Sequence, residues 1–349
     1  MDSQQIRGKI HRIQRSVAWE YATAVQAEQP IVGWRRRCET DTILRMDRGR
    51  VLICDPIPAA VIERISAGGL QVDERVDLSP EELEGLIGDY DAIVVRSATK
   101  LGERQIAAGR RLRVIVRAGV GTDNIDFPAA ASRGIAVLNT PRAPTVSVAE
   151  LSLGLLFALA RRIPQADAAL KSGRWPKKEL SDGIELEGKT LGILGVGRIG
   201  GALGRRASAL GMVVVGADKE LEPAGRFEGL EILPLGDLLP RADFVSVHIP
   251  LGEDGRAQIG REEIARMKDG VLLVNCARGG VVDEEALLEA LESGKVRGAA
   301  LDVFAEEPPT DLRLVRHPRV VCTAHMGAST QEAQARMGME IAQILLERL

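Results

Sequence analysis

Short apolar runs rich in Val, Ile and Leu alternate with amphipathic segments along the chain from Arg50 onward. The runs RVLICDP, YDAIVVRS, LRVIVRAG and IAVLNTP are each followed by a helix-like segment, and the last leads into one long helical stretch from Thr145 to about Gly173. Continuous apolar strands that alternate with amphipathic helices are typical of a parallel sheet covered on both faces. This part of the chain is therefore predicted to form a doubly wound α/β unit.

A second series of the same kind begins at KTLGILGVG and continues through MVVVGAD, DFVSVHIP, GVLLVNCA, VRGAALDVF and RVVCTA. The chain is therefore predicted to have an α/β fold with two doubly wound parallel-sheet domains of the Rossmann-like type, joined near residues 140–144. The stretch from Ser329 to Leu349 is predicted to be one helix, because its apolar positions (Ala333, Met337 and Ile341 among them) are spaced for a single buried face.

The first 48 residues differ from the rest of the chain. They contain Trp19, Trp34 and a run of three arginines at 35–37, but little sustained periodicity. They lack the apolar core of a signal peptide and carry too many acids for a transit peptide. We predict an extension that is either disordered or the product of a start assigned too early, with Met46 as the better start. A functional arm is the alternative.

Composition excludes some classes of function. The formal net charge is −3, so the protein lacks the overall basic field that grips nucleic acid, and no run approaches the ~20 apolar residues that cross a bilayer. The four cysteines are scattered without a C-x-x-C pair, which predicts reduced thiols, a cytoplasmic location and no metal site. Neither a nucleic acid nor a membrane is an expected partner.

A glycine-rich turn marks the start of the second series. Gly195, Gly197 and Gly200 have G-x-G-x-x-G spacing, and they follow a strand and open a helix, as binding of a dinucleotide pyrophosphate at a helix N-terminus requires. Asp218 ends the next strand, where a carboxylate can accept both ribose hydroxyls of an adenosine and repel a 2′-phosphate. The turn predicts NAD as the cofactor, although the neighbouring Lys219 leaves NADP open.

Four histidines are present, and one of them ends the last strand of the dinucleotide-binding series. His325 follows the run VVCTA, whereas His248 ends an earlier strand and His317 lies in a polar loop. Ligands bind beyond the carboxyl ends of such strands, and a histidine suits proton transfer at neutral pH. Glu307 and Arg278 also follow strand ends of this series. A carboxylate can orient an imidazole, and a guanidinium can grip a substrate carboxylate. The alternative for each is a structural or solvated side chain.

These residues lie in motifs that resemble those of the D-isomer-specific 2-hydroxyacid dehydrogenases. The segments VVRSATK, VRAGVGTDNID, LNTP, LGILGVGRIG, VNCARGGVVDEEALL, AALDVFAEEPP and AHMGASTQEAQ carry the resemblance, from about residue 50 to the end. The resemblance implies a catalytic triad of Arg278, Glu307 and His325. It also implies a cofactor site formed by Gly195, Gly197, Arg198, Ile199, Gly200, Asp218, Cys276, Ala277, Asp302, Gly327 and Ala328.

The resemblance further implies two domains and a homodimer that forms through the nucleotide-binding domain. Residues 49–141 with 326–349 would form the substrate-binding domain, to which the C-terminal helix returns, and residues 142–325 the NAD-binding domain. Within the family, the motifs resemble most those of members that oxidise 3-phosphoglycerate and open serine synthesis. We expect a short form of that enzyme without a C-terminal regulatory domain.

A phosphorylated hydroxy acid needs positive charge in addition to Arg278. Arg96 and Arg117, both at strand ends of the first domain, can supply it, and Arg142 at the join can add to it. The motifs add Ser97 and Gly119 to the expected substrate site. Ile249 and Arg142 depart from the family's usual residues, which affects the choice of substrate. The alternatives are a glyoxylate or hydroxypyruvate reductase, another D-2-hydroxyacid dehydrogenase and an NAD-sensing corepressor.

Overall fold

The structure is a computed structural model and describes residues 49–223, 225–227, 229–252 and 255–349. The predicted extension, residues 1–48, lies outside the described residues. The predicted fold class is confirmed, since two parallel sheets follow one another along the chain and helices cover both faces of each.

The first sheet has five parallel strands. Its strands are β1 (Arg50–Ile53), β2 (Gln71–Glu74), β3 (Ala92–Val95), β4 (Val114–Arg117) and β5 (Ala136–Asn139), in the order β2-β1-β3-β4-β5. Between them lie the helices α1 (Ala59–Ala67), α2 (Pro80–Leu86), α3 (Glu103–Ala108) and α4 (Phe127–Ser132). All four side chains of β3 are buried, as expected for a strand packed on both faces.

Two helices then lead to the second sheet. They are α5 (Thr145–Arg161) and α6 (Ile163–Lys171), and they are followed by β6 (Thr190–Leu194), α7 (Arg198–Ala209), β7 (Val213–Ala217), β8 (Arg226–Phe227), β9 (Leu230–Ile232), α8 (Leu235–Leu238), β10 (Phe244–Val247), α9 (Arg261–Arg266), β11 (Val271–Asn275), α10 (Glu284–Ser293), β12 (Val296–Leu301), β13 (Val320–Cys322) and α11 (Gln331–Arg348). The strand order is β13-β12-β11-β10-β6-β7-β9-β8, and every pair is parallel except β8 with β9.

The last helix, α11, packs against the first sheet. Its buried residues Met337, Ile341 and Leu345 join the apolar core that includes Val51 of β1 and Val114 of β4. The helix approaches α1 closely, because a Cβ on Gly338 would stand 2.1 Å from a methyl carbon of Val61. A run of small and apolar residues spaced for one face thus returns the chain end to its first half.

Three local features differ from the sequence expectation. The helical stretch predicted from Thr145 to Gly173 is broken at Arg162, which adopts a left-handed backbone with φ of 51°. A second helix begins at Ile163, and Pro164 lies in its first turn, where the missing N–H costs no helix hydrogen bond. The hairpin of β8 and β9 and the polar edge strand β2 were also absent from the apolar pattern, because short or exposed strands lack a continuous apolar run.

Candidate active site

Three neighbouring strands of the second sheet deliver the proposed catalytic side chains. The register pairs Asn275 of β11 with Leu301 of β12, and Leu301 with Cys322 of β13. Arg278, Glu307 and His325 lie in the loops that leave these parallel strands at their carboxyl ends. Since all three loops leave the same edge of the sheet, the strands place the three side chains in one region.

His325 and Glu307 are in direct contact. Nδ1 of the imidazole lies 2.7 Å from Oε2 of the carboxylate, whose other oxygen accepts a hydrogen bond from the Phe304 amide at 3.1 Å. An ionised carboxylate can only accept, so this contact places the imidazole proton on Nδ1. Nε2 makes no hydrogen bond with the described residues. The His325 side chain as a whole is 44% exposed.

The loop that carries Arg278 is held by close backbone packing. A Cβ on Gly279 would stand only 1.7 Å from the carbonyl oxygen of Phe304, so glycine alone fits between the β11 and β12 loops. The Asn275 side chain bridges the turn, because its amide nitrogen donates to the Arg278 carbonyl and its oxygen accepts from the Ala277 amide, both at 3.0 Å. These contacts fix the backbone position of Arg278.

Arg278 reaches across to the first sheet. Its Nε donates to Oδ2 of Asp123 at 3.0 Å, and Nη1 donates to the carbonyl of Ala277 at 2.6 Å. Its Nη2 lies against the backbone of Gly121, where a Cβ would come within 1.8 Å. Asp123 and Gly121 follow β4, so this ion pair joins the carboxyl edges of the two sheets. The proposed substrate clamp therefore stands between them.

Arg117 lies in the same electrostatic environment. Burial, together with the positive charges of Arg278 and Arg96, lowers its pKa to about 10, while Asp123 and Asp55 act in the opposite direction. Its Nε is buried and makes no hydrogen bond with the described residues. The three guanidinium groups of Arg96, Arg117 and Arg278 are opposed by two nearby carboxylates, those of Asp123 and Asp55. This balance of charge favours an anion.

The other proposed substrate residues divide into two groups. Ser97 is exposed in the loop after β3 and follows Arg96 directly in sequence. Gly119 lies against Arg117, because a Cβ at this position would stand 1.6 Å from Nη1 of that arginine. Arg142 forms the second group and interacts with Glu340 of α11. Burial raises the pKa of Glu340 on α11, and a hydrogen bond from the Arg142 backbone and the charges of Arg142, Arg198 and Arg336 oppose that rise.

The glycine turn has the geometry that a pyrophosphate needs. Gly195 has φ of 91°, and a Cβ on Gly200 would stand 2.1 Å from the Gly195 carbonyl, so both positions require glycine. A Cβ on Gly197 would meet nothing within 4 Å, which leaves open space at the start of α7. No side chain caps that helix, and its first amides are available to an anion, with Arg198 and Ile199 as its first two residues. These residues fit a dinucleotide.

Asp218 lies against this turn. Its Oδ2 accepts a hydrogen bond from the Val196 amide and its Oδ1 one from the Glu220 amide, both at 2.9 Å. A carboxylate fixed beside the phosphate turn is suited to a ribose diol. The structure therefore brings the acid and the three glycines of the motif together.

The remaining proposed cofactor residues are mostly buried. Cys276 is an inert thiol, since burial raises its pKa to about 12, and Ala277 beside it is half-buried. Asp302 is almost fully buried, and protein donors engage both of its oxygens, including the Gly327 amide at 2.9 Å. Ala328 accepts a hydrogen bond from the Gln334 side chain through its carbonyl.

Two other histidines are poorly suited to acid–base work. Burial lowers the pKa of His248 to about 4, and its Nε2 contacts Ser246 Oγ at 2.8 Å. His317 lies in a loop, where its Nδ1 accepts from the Arg319 amide at 3.2 Å and burial lowers its pKa. Sequence reasoning did not single out Asp123 or Thr323, because each contacts a residue distant in sequence, nor Asn275, whose contacts with Ala277 and Arg278 are local. The motif VRAGVGTDNID did contain Asp123, so proximity to Arg117 was the available signal.

Two negative findings concern the described ranges. Within them no group of three or more His, Cys, Asp or Glu side chains is placed to hold a metal ion. Likewise, no helix in the described part of the chain is both long and apolar enough to span a membrane.

Comparison with known proteins agrees with this geometry. The model of the D-isomer specific 2-hydroxyacid dehydrogenase, NAD binding domain, matches residues 153–327. D-3-phosphoglycerate dehydrogenase of Rattus norvegicus is 48% identical over 295 residues, covering 84% of this chain and 55% of the rat protein. Hydroxypyruvate reductase of Thermotoga maritima is 47% identical over 310 residues, covering 87% of this chain and 99% of that protein.

A solved structure shows the same fold. D-lactate dehydrogenase from Aquifex aeolicus, complexed with NAD and lactic acid, matches with a TM-score of 0.76 at 28% identity, covering 84% of this chain and 93% of that one. The chain therefore belongs to the family of D-isomer specific 2-hydroxyacid dehydrogenases, which are NAD-dependent oxidoreductases, and the predicted resemblance and cofactor are confirmed. It spans about half the length of the rat protein.

The contact between His325 and Glu307 leads to a first prediction. His325→Ala should lower kcat by roughly two to four orders of magnitude, the usual worth of a general acid or base, and leave NADH binding nearly intact. Glu307→Gln should lower kcat less and shift its pH profile, because it removes the anion that favours the imidazolium. Steady-state rates and NADH fluorescence titration check both. His317→Ala is the control and should keep the wild-type rate. A His325→Ala protein with near wild-type turnover would contradict the assignment.

The position of Asp218 leads to a second prediction. Asp218→Asn keeps an oxygen that can accept from the Val196 amide but removes the charge that repels a 2′-phosphate. The ratio of kcat/KM for NAD over NADP should therefore fall by about tenfold or more, equivalent to about 1.4 kcal/mol. The ratio is measured with both cofactors on wild type and variant. If wild type already uses NADP as well as NAD, Asp218 does not have this role.

Proposed function

We propose that this chain oxidises 3-phospho-D-glycerate to 3-phosphohydroxypyruvate with NAD, the first step of serine biosynthesis. The observation that carries the proposal is the electrostatic cluster of Arg96, Arg117 and Arg278, of which Arg278 leaves the same sheet edge as the His325–Glu307 pair. The substrate has a carboxylate at one end and a phosphate at the other. Three guanidinium groups can bind both ends while one imidazole faces the hydroxyl between them. The 48% identity to the rat enzyme supports the same substrate.

Each residue has a distinct part in this proposal. Arg278 grips the substrate carboxylate and polarises the neighbouring carbon–oxygen bond, while Arg96 and Arg117 hold the phosphate. In oxidation, His325 accepts the hydroxyl proton on Nε2, and Glu307 stabilises the imidazolium through Nδ1. The glycine turn and Asp218 would hold NAD, which would supply the acceptor for the hydride that leaves the hydroxyl-bearing carbon. The two sheets would then correspond to a substrate-binding domain (49–141 with 326–349) and an NAD-binding domain (142–325).

The second candidate is reduction of hydroxypyruvate or glyoxylate. The match to the Thermotoga maritima hydroxypyruvate reductase favours it, because the shared region covers 99% of that protein. The chemistry at His325 would be the same. The difference lies in whether the arginine cluster selects a phosphate, which makes the substrate itself the deciding measurement.

A substrate panel tests the proposal. NADH absorbance would be followed with phosphohydroxypyruvate, hydroxypyruvate and glyoxylate as oxidants, and with 3-phosphoglycerate in the other direction. We expect kcat/KM to be highest for the phosphorylated pair. Arg96→Gln should lower kcat/KM for phosphohydroxypyruvate by roughly 10- to 100-fold, because it removes a charged hydrogen bond worth about 1.5–3 kcal/mol. The same variant should change the reaction of hydroxypyruvate little.

Other outcomes of the panel are equally clear. Equal kcat/KM for hydroxypyruvate and its phosphorylated form would favour the reductase, and NADH binding without turnover of any hydroxy acid would favour a corepressor-like binding protein. Arg142→Gln tests the fourth arginine of the proposed site. Because Arg142 faces Glu340, we expect a smaller effect than for Arg96.

We further propose that the protein is a cytoplasmic homodimer. Helices α5 and α6 and the following loop carry large apolar side chains that are exposed, namely Phe157, Ile163, Leu170 and Trp175, the last 77% exposed. Several exposed large apolar side chains in one segment of the chain favour an interface there. The buried Cys54 and Cys276, whose thiols keep raised pKa values, support a reducing compartment.

Light scattering tests the dimer. The 37.6 kDa chain should give twice that mass, and the double change Leu170→Glu with Ile163→Glu should give the monomer mass, because two charges would be buried unpaired at the interface. Leu210→Glu, at an exposed apolar residue beyond α7, is the control and should leave the mass unchanged. A monomeric wild type would exclude the proposal.

A further inference from the structure

His325 is held in an unusual backbone conformation. Its φ is 50°, in the left-handed region that residues with a side chain rarely adopt, and it shares this feature among the described non-glycine residues with Asp77 and Arg162 alone. Such a conformation persists only where surrounding contacts determine it. The first of these contacts is a hydrogen bond from the His325 amide to the carbonyl of Asp302 at 2.8 Å.

Asp302 supplies the remaining contacts as well. Its side chain is 1% exposed, and three donors from the loop after β13 converge on it. Oδ1 accepts from Thr323 Oγ1 at 2.5 Å and from the Met326 amide at 2.7 Å, and Oδ2 accepts from the Gly327 amide at 2.9 Å. One buried carboxylate thus organises the backbone on both sides of His325.

Asp302 is itself tied to the neighbouring strand. Its amide donates to the carbonyl of Asn275 at 3.0 Å, and the Asn275 side chain holds the turn that carries Arg278. The same residue therefore connects the loop of the proposed acid/base to the loop of the proposed carboxylate clamp. A small rotation of the Asp302 carboxylate would move the Met326 and Gly327 amides, and His325 between Thr323 and Met326 would move with them.

Thr323 is the one side chain among these donors. The other two donors to the carboxylate, the Met326 and Gly327 amides, belong to the backbone, so no side-chain substitution removes them. Thr323 is also anchored by its own amide, which donates to the Leu301 carbonyl at 3.0 Å, so its hydroxyl approaches Asp302 from a fixed strand end. Without that hydroxyl, Oδ1 of the buried carboxylate would keep only the Met326 amide as a donor, and the carboxylate would be held less firmly.

We propose that Thr323 is a positioning residue that, through the Asp302 carboxylate, holds His325 in its left-handed conformation and its ring against Glu307. The inference rests on the proposed role of His325 as the acid/base. Thr323 isolates this effect better than Asp302 does, because Asp302 is also a proposed cofactor residue and a change there would disturb both functions.

Two substitutions of nearly equal size form the test. Thr323→Val removes the hydroxyl and keeps the shape, and Thr323→Ser keeps the hydroxyl. We expect Thr323→Val to lower kcat by roughly tenfold to a hundredfold, as misplacement of a catalytic group by up to 1 Å does, and to shift the pH profile of kcat. The NADH dissociation constant should stay within about twofold of wild type, which is a small change in binding free energy because a tenfold change corresponds to about 1.4 kcal/mol. Thr323→Ser should keep the wild-type kcat.

A second readout does not depend on turnover. Hydrogen exchange, followed by mass spectrometry on a peptide that covers residues 322–329, reports the protection of the His325, Met326 and Gly327 amides. Thr323→Val should speed exchange in this peptide, and Thr323→Ser should not. Full-length protein is used, and thermal melting records overall stability. If Thr323→Val does not fold, Thr323→Cys replaces it, since a thiol is a weaker donor of similar size and predicts intermediate values of kcat and exchange.

The outcomes separate this inference from the proposed function. Turnover is measured with whichever 2-hydroxy or 2-oxo acid wild type uses best, so failure of 3-phosphoglycerate as a substrate would overturn the proposed function and leave this test intact. Wild-type kcat and exchange in Thr323→Val would overturn the positioning role. So would equal losses in Thr323→Ser, or a loss of NADH binding that matches the loss of kcat.

Discussion

Parallel pairing of β11, β12 and β13 in one register is the constraint on which the site depends. Asn275, Leu301 and Cys322 stand side by side, and the chain leaves all three strands at the same edge. Arg278 and His325 each come three residues beyond these positions, and Glu307 comes six residues beyond. A shift of one residue in any strand would turn its side chains to the opposite face and move its loop out of this arrangement.

Strand register alone would leave three mobile loops, and backbone packing makes them one structure. Gly279 lies against the Phe304 carbonyl without room for a side chain, and Asn275 braces the turn before it. On the other side, Asp302 collects the donors of the loop that carries His325. Backbone packing and buried hydrogen bonds therefore position the imidazole, its carboxylate partner and the guanidinium.

Electrostatics then relates the two sheets to each other. Burial, together with the positive charge of Arg278 from the second sheet, lowers the pKa of Arg117 in the first sheet. Asp123 lies between them and pairs with Arg278. Burial and like charge both disfavour the charged form of Arg117, and Asp123 and Asp55 only partly offset this effect. A bound anion with two negative ends would add the negative charge that stabilises the guanidinium. This excess of positive charge favours an anion between the two sheets.

The sequence by itself determined the fold class, the phosphate turn and the strand ends at which Arg278, Glu307 and His325 lie. These features depend on local patterns: apolar runs form buried strands, Gly195, Gly197 and Gly200 are required by backbone geometry within a few residues, and a strand end follows directly from the pattern. The apolar pattern did not predict the helix break at Arg162 or the hairpin of β8 and β9, because the apolar signal there is short or interrupted. Only the tertiary structure decided that Asp123 pairs with Arg278, that Arg142 faces Glu340 and that Asp302 organises the His325 loop. Each of these contacts joins residues that are far apart in sequence, and a side chain's partner is set by how the elements pack rather than by the residues beside it.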